Sequence, residues 1–246
     1  MKLLIKSPIE LILTLSIAII LFLSSCGKDD DKVETGTITE EDAVEVVENS
    51  LQEESGGINE QISTSIEIAS DYADPEINPF CGLSFDTLIT RTNPSGTVIL
   101  YEYSFAWDWE LVCNNQQSPE TFEFSYEMTG WCNAPRIESD DTGNHSFTLG
   151  GLSLADESFV YNGSYTRNGS NQMKTGLQTS FTSKVTIDAV DVTISKTTGK
   201  ITGGTANVTF HGETSGGKVF DYNGTITYTG GDTAIIKFEN EFTVQL

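Results

Sequence analysis

The sequence predicts an all-β fold: an antiparallel up-and-down meander of about ten strands, barrel-like or strongly curved, behind one or two N-terminal helices. Three observations carry this. Between Tyr101 and Cys113 the odd positions read Tyr, Tyr, Phe, Trp, Trp, Leu, Cys and the even ones Glu, Ser, Ala, Asp, Glu, Val. Strict period-two alternation of that length marks a long strand with one buried face. From Cys81 onward, alternating runs recur between turns rich in Gly, Asn and Pro. No helical pattern separates those runs, so the crossovers that parallel strands need are missing.

Taken in order, the chain opens with Lys2 and Lys6 ahead of an apolar run from Leu11 to Leu23. That run is shorter than the roughly 20 residues a membrane-spanning helix needs, and small residues follow it, as in a secretory signal. Leu23-Ser24-Ser25-Cys26 resembles the lipobox of bacterial lipoproteins. The resemblance implies cleavage after residue 25 and acylation of Cys26, which would anchor the chain through buried acyl methylenes. Behind it, Lys28 followed by Asp29, Asp30 and Asp31 is similar to the export signal of Bacteroidota surface lipoproteins. That similarity implies display on the outer leaflet of the outer membrane, at the cell surface. The organisation expected is a signal peptide over 1–25, an acidic tether over 26–38, a helical segment over 39–76 and a β domain over 77–246.

Thr39 ahead of Glu40-Glu41-Asp42 predicts an N-cap with acids in the first turn. Val44, Val47 and Leu51 keep helical spacing, giving a helix over about 40–53 that Gly56-Gly57 ends. Ile58, Ile62, Ile66 and Ala69 predict a second helix over about 58–72, with Pro75 and Pro79 beyond it. The first strand carries Cys81, Leu83, Phe85, Thr87 and Ile89 on one face, and Asn93-Pro94-Ser95-Gly96 reads as its turn. The long strand follows, then Phe122, Phe124, Tyr126, Met128 and Cys132 on a shared face. Residues 133–144, with Pro135, Asp140-Asp141 and Gly143, read as a long loop. Weaker strands are expected near 145–153, 157–167 and 177–194, the last split near Ala189. Ala206, Val208 and Phe210 alternate, as do Phe220, Tyr222, Ile226 and Tyr228, and one final strand runs from Ala234 to Leu246. An internal echo pairs the segment 159–166 with 220–227, each copy carrying Asn-Gly, which marks a bend or bulge or else shared strand composition.

The chain has 36 acidic residues against 13 Lys and Arg, a net charge of −23. Nucleic-acid binding needs clustered basic residues and is not expected. With Cys26 acylated, Cys81, Cys113 and Cys132 remain in an oxidising compartment. A turn centred near 94–95 sets Cys81 opposite about 108, toward the Cys113 end of the long strand. A turn near 116–117 sets Cys132 opposite about 101, at the far end. The expected disulfide is therefore Cys81–Cys113, with Cys132 a buried thiol. No metal-ligand spacing is present and no cofactor is implied.

His145 and His211 are the only histidines, and neither accompanies a nucleophile motif. Asp108 and Glu110 sit on the polar parity of the long strand and read as a solvated face. Asp140 to Asn144 lacks the ligand pattern of an EF-hand and reads as a turn. Asp86-Thr87-Leu88 and Asp232-Thr233-Ala234 resemble the Bacteroidota O-glycosylation motif, with Thr87 on a buried parity and Thr233 at a turn. The aromatic stripe is either core under the helices or the wall of a ligand cavity. Trp131 falls on the polar parity beside Glu127 and Thr129 and is the candidate for exposed ligand contact. The expected function is non-enzymatic: binding or surface interaction with an apolar or glycan ligand by a membrane-anchored protein. The alternatives are a cell-envelope hydrolase using acidic residues and a purely structural surface lipoprotein. Oligomeric state is not legible here.

Overall fold

The computed structural model describes residues 36–72, 80–93 and 96–246. The signal segment, Cys26, the Lys28–Asp31 stretch and most of the tether lie outside the described residues, as do Pro75, Pro79 and the Pro94-Ser95 pair.

The first helix, α1 (Glu40–Leu51), starts on a capping box: Thr39 Oγ1 accepts from Asp42 N and Asp42 Oδ2 accepts from Thr39 N. Two otherwise unpartnered amides are satisfied at once. A short turn of 3-10 helix (Glu53–Ser55) leads to Gly56, whose φ of 69° is left-handed. A Cβ there would also stand 2.7 Å from Tyr103 Cδ2, so glycine is required twice over. The second helix, α2 (Ile58–Tyr72), follows.

Among the described residues ten strands then form one open antiparallel sheet in strict sequence order. They are β1 (Ser84–Thr92), β2 (Leu100–Cys113), β3 (Pro119–Asn133), β4 (Ile137–Gly150), β5 (Ser158–Met173), β6 (Ser180–Ser195), β7 (Ile201–Thr214), β8 (Val219–Tyr228), β9 (Thr233–Lys237) and β10 (Glu241–Gln245). The sheet curls without closing, since β1 and β10 do not pair with one another. The helices lie on its inner face. Arg91 of β1 pairs with Glu60 of α2, and Glu40 of α1 accepts hydrogen bonds from Glu239 N and Asn240 N in the β9–β10 turn. Helical side chains therefore reach both ends of the curl. Their apolar residues and the inward residues of the strands make one core.

Four expectations need correction. Residues 133–144 are not a long loop: a tight turn at 134–136 leads straight into β4, with Asp140 to Asn144 inside the strand. The final strand is two strands, β9 and β10, hairpinned at 238–240. β6 runs unbroken through Ala189; the expected split is a bulge beyond it, between Val190 and Thr193, with Asp191 at φ 51°. The tether drawn to residue 38 ends earlier, because Ile38 is fully buried and its carbonyl accepts from Tyr222 Oη at 2.9 Å.

The β1–β2 register centres on residue 97 rather than 94–95, as the pairing of Phe85 with Trp109 shows. Ahead of β1 the chain leaves that register, Cys81 bridging Leu111 in the parallel sense, and there Cys81 forms the disulfide with Cys113. Cys132 pairs across to Tyr101 and is a buried free thiol, pushed up to about 11 by burial.

Candidate functional site

Two polar clusters stand out, one on each face of the sheet. The inner one is built where α1 meets the sheet. Asp141 (β4) and Arg167 (β5) form an ion pair of 2.7 Å with both side chains 2% exposed. Asp141 Oδ2 also accepts from Tyr103 Oη at 2.6 Å and Ser139 Oγ at 2.7 Å. Arg167 Nη1 donates to the Asn49 carbonyl at the end of α1, at 2.9 Å. Burial alone would raise the Asp141 carboxyl, but the guanidinium beside it and these donors hold it below the ordinary carboxylate value. The Tyr103 ring fits because Gly130 lies directly opposite, where a Cβ would come 2.4 Å from Tyr103 Cδ1. A sealed cluster of this kind, paired through both Nη atoms of Arg167 though not its Nε, pins helix to sheet. It offers a substrate no access.

His145 is sealed too, at 2% exposure, between Tyr126 Oη (3.1 Å from Nδ1) and Tyr161 Oη (2.5 Å from Nε2). Burial holds it down to about 3, so it is neutral and out of reach of solvent. The carboxylates raised by burial, Glu45, Glu48 and Glu60, all lie on the helices. His211 is exposed and bonds Asp221 at 2.7 Å, with no nucleophile beside it. Among the described residues no group of three or more His, Cys, Asp or Glu is placed to hold a metal ion.

The aromatic stripe of β2 is core. Tyr101 to Trp109 are 0–6% exposed at every odd position. Trp109 stacks on Phe85 at 4.4 Å and meets Tyr72 of α2 at 4.6 Å, while Trp107 packs among Tyr126, Phe124 and Phe147. The helices occupy the place where a ligand lumen would be.

The outer face is where side chains meet solvent. Trp131 is 39% exposed there, midway between its directly opposite neighbours Glu102 (β2) and Asp140 (β4). It borders a groove of about 390 Å³ shared with Asn133, Glu138, Asp140, Ser170 and Gln172. Asp140 and Ser170 also line an adjoining groove of about 640 Å³ that runs to Lys184 and His211. Asp108 and Glu110 face outward too, beside a smaller depression. The alternation of β3 identified Trp131 from sequence. The polar partners on β4 were hidden, because Asp140, Asp141 and Gly143 carry turn chemistry. Thr87, expected on a buried parity, is exposed on β1, while Thr233 is half-buried at the start of β9.

No described helix is long and apolar enough to cross a membrane. No family model matches the chain, and no curated protein or solved structure is significantly similar to it.

Proposed function

We propose that this chain is a lipid-anchored outer-membrane protein that binds glycan at the cell surface without catalysing a reaction on it. The observation that carries the binding half is Trp131. A large indole stands in solvent on a face whose other residues are mostly polar, beside a groove walled by amides, hydroxyls and carboxylates. A sugar ring is apolar over its C–H face and polar at its rim. The indole suits the first and Asn133, Gln172, Ser170 and Asp140 suit the second. The apolar-ligand alternative loses support because the aromatic stripe already has protein partners. The hydrolase alternative loses support because the carboxylates raised by burial lie on the helices and the Asp141 side chain is sealed against Arg167 on the inner face, so none of them presents a displaced carboxyl to the outer face.

The anchoring half rests on the Leu23-Ser24-Ser25-Cys26 resemblance and the acidic run behind it. An array of cell-envelope and plant glycans probed with the purified chain tests binding. Wild type is expected to retain at least one glycan that Trp131→Ala loses. Retention by both forms alike sinks the site. For the anchor, Cys26→Ala should lose incorporation of labelled palmitate; incorporation undiminished in the variant would place the acyl chain of the wild type elsewhere than on Cys26.

A further inference from the structure

We infer that the glycan recognised beside Trp131 carries free amines, so that the ring on the indole is a cationic amino sugar. The inference rests on the glycan reading above and specifies its chemical class. Three observations converge on it.

The first is the register. Glu102 and Asp140 are the directly opposite neighbours of Trp131 on its two sides. Cβ atoms of such pairs lie about 4.5–5.5 Å apart. An ammonium on a ring stacked over the indole, within about 6 Å of its centre, would feel the π-face and both carboxylates together. The second is that neither carboxylate has a partner within the protein, among the described residues. Glu138, the next acid along the groove, differs: Lys174 Nζ stands 3.8 Å from it and also donates to the Ala134 carbonyl. Lys174 thus serves the far end of the groove and leaves Glu102 and Asp140 unneutralised. The third is the surrounding face. Among the described residues of β1–β4, no Lys, Arg or His points outward. Acids stand directly opposite acids there, Asp86 against Asp108 and Glu110 against Glu123. These pairs lie farther along the strands from Trp131, and with Glu102 and Asp140 they make this part of the outer face uniformly negative. A neutral glycan would use the indole and leave this field unanswered.

A chain of net charge −23 attracts any polycation weakly. The test therefore has to separate site from background. It compares a glucosamine hexamer with its N-acetylated counterpart, two oligomers of one backbone that differ in charge. Binding to the full-length chain in detergent is measured near pH 6. The deacetylated hexamer should bind at least tenfold tighter, and added salt should narrow the gap. The double variant Glu102→Gln/Asp140→Asn should erase the gap while leaving the acetylated oligomer's affinity unchanged. Trp131→Ala should lose both. All three positions are exposed on the outer face, and unchanged melting temperatures would confirm intact folds. Equal affinity for the two oligomers overturns the inference and leaves the glycan reading standing. Binding of the deacetylated oligomer that survives Trp131→Ala overturns it as background attraction. Tighter, Trp131-dependent binding of oligolysine overturns it in favour of a basic protein partner. Binding of neither oligomer removes the inference and counts against the glycan reading as well.

Discussion

His145 occupies the middle of the inner face without carrying charge. In an unfolded chain an imidazole titrates near about 6.5; in the fold, burial holds His145 down to about 3. Between those values the unfolded chain binds a proton that the folded one refuses, so stability must fall as pH drops through the window. Asp141 acts later, because its carboxyl is held below the ordinary value and its contribution survives until stronger acid. Glu45, Glu48 and Glu60 are raised by burial and act in the opposite direction, but a variant at position 145 keeps all three. Between about pH 6.5 and about pH 4 the urea midpoint of wild type should therefore drop relative to that of His145→Gln, which has no proton to take up. Parallel curves would place the acid sensitivity elsewhere. The two exposed-versus-buried tryptophans make a second contrast. Trp109→Ala removes a ring held by Phe85, Phe122 and Tyr72 and should cost about 3–5 kcal/mol. Trp131→Ala on the outer face should cost under about 1 kcal/mol. Thermal melts compare them, and a milder loss at Trp109 would reverse the assignment of the faces.

Among the described residues strand β1 lies at an edge, with β2 as its sole strand partner, and Cys81–Cys113 staples its leading end to the far end of β2. With the cysteines 32 positions apart in sequence, constraint of the unfolded chain is worth about 3–4 kcal/mol. Cys81→Ala/Cys113→Ala should lose about that much in urea, and amide exchange in β1 should accelerate before that in β3–β7. Uniform acceleration would mean that β1 and the rest unfold as one unit. The legibility of each strand followed its inner face. β2 announced itself because every inward residue is large and apolar. β4 did not, because its inward positions include Ser139, Asp141, Gly143 and His145, which serve buried hydrogen bonds and close packing rather than an apolar stripe. A polar network in a core erases the alternation that sequence reading depends on. The same loss hid Arg167, whose single charge among Asn, Gly and Ser gave no sign of burial. The β9–β10 hairpin was missed for another reason: its turn at 238–240 carries neither Gly nor Pro, so apolar parity runs on through it. The outer groove was half legible, with Trp131 visible from parity and its neighbours Glu102 and Asp140 visible only once registers were known.

A ten-stranded sheet in sequence order has two free edges, and curling alone does not bury its inner face. In this molecule the helices complete the enclosure. α1 is buried at Ala43, Val44, Val46, Val47 and Leu51, and also at Asn49 and Ser50, so apolar and polar positions alike are enclosed. It is fastened at both ends: Glu40 holds the β9–β10 turn, and the Asn49 carbonyl holds Arg167. α2 fastens the other side through Glu60 with Arg91 and Tyr101. The outer groove then depends on the helices indirectly, since the register that sets Glu102 and Asp140 beside Trp131 belongs to strands whose inner faces α1 and α2 cover. Val47 tests this, being fully buried on α1 without a hydrogen-bonding role. Val47→Asp would set an unpaired carboxylate against the core, at a cost of several kcal/mol or release of the helix. If enclosure is the role of α1, the variant should expose the aromatic stripe, bind a hydrophobic dye and melt much lower, while hairpin-rich strand content persists in far-ultraviolet circular dichroism. Tryptophan emission should shift to the red, because Trp107 and Trp109 lose their cover while Trp131 is already exposed. A variant that melts like wild type with unshifted emission would show that the curled sheet buries its stripe without help from the helix.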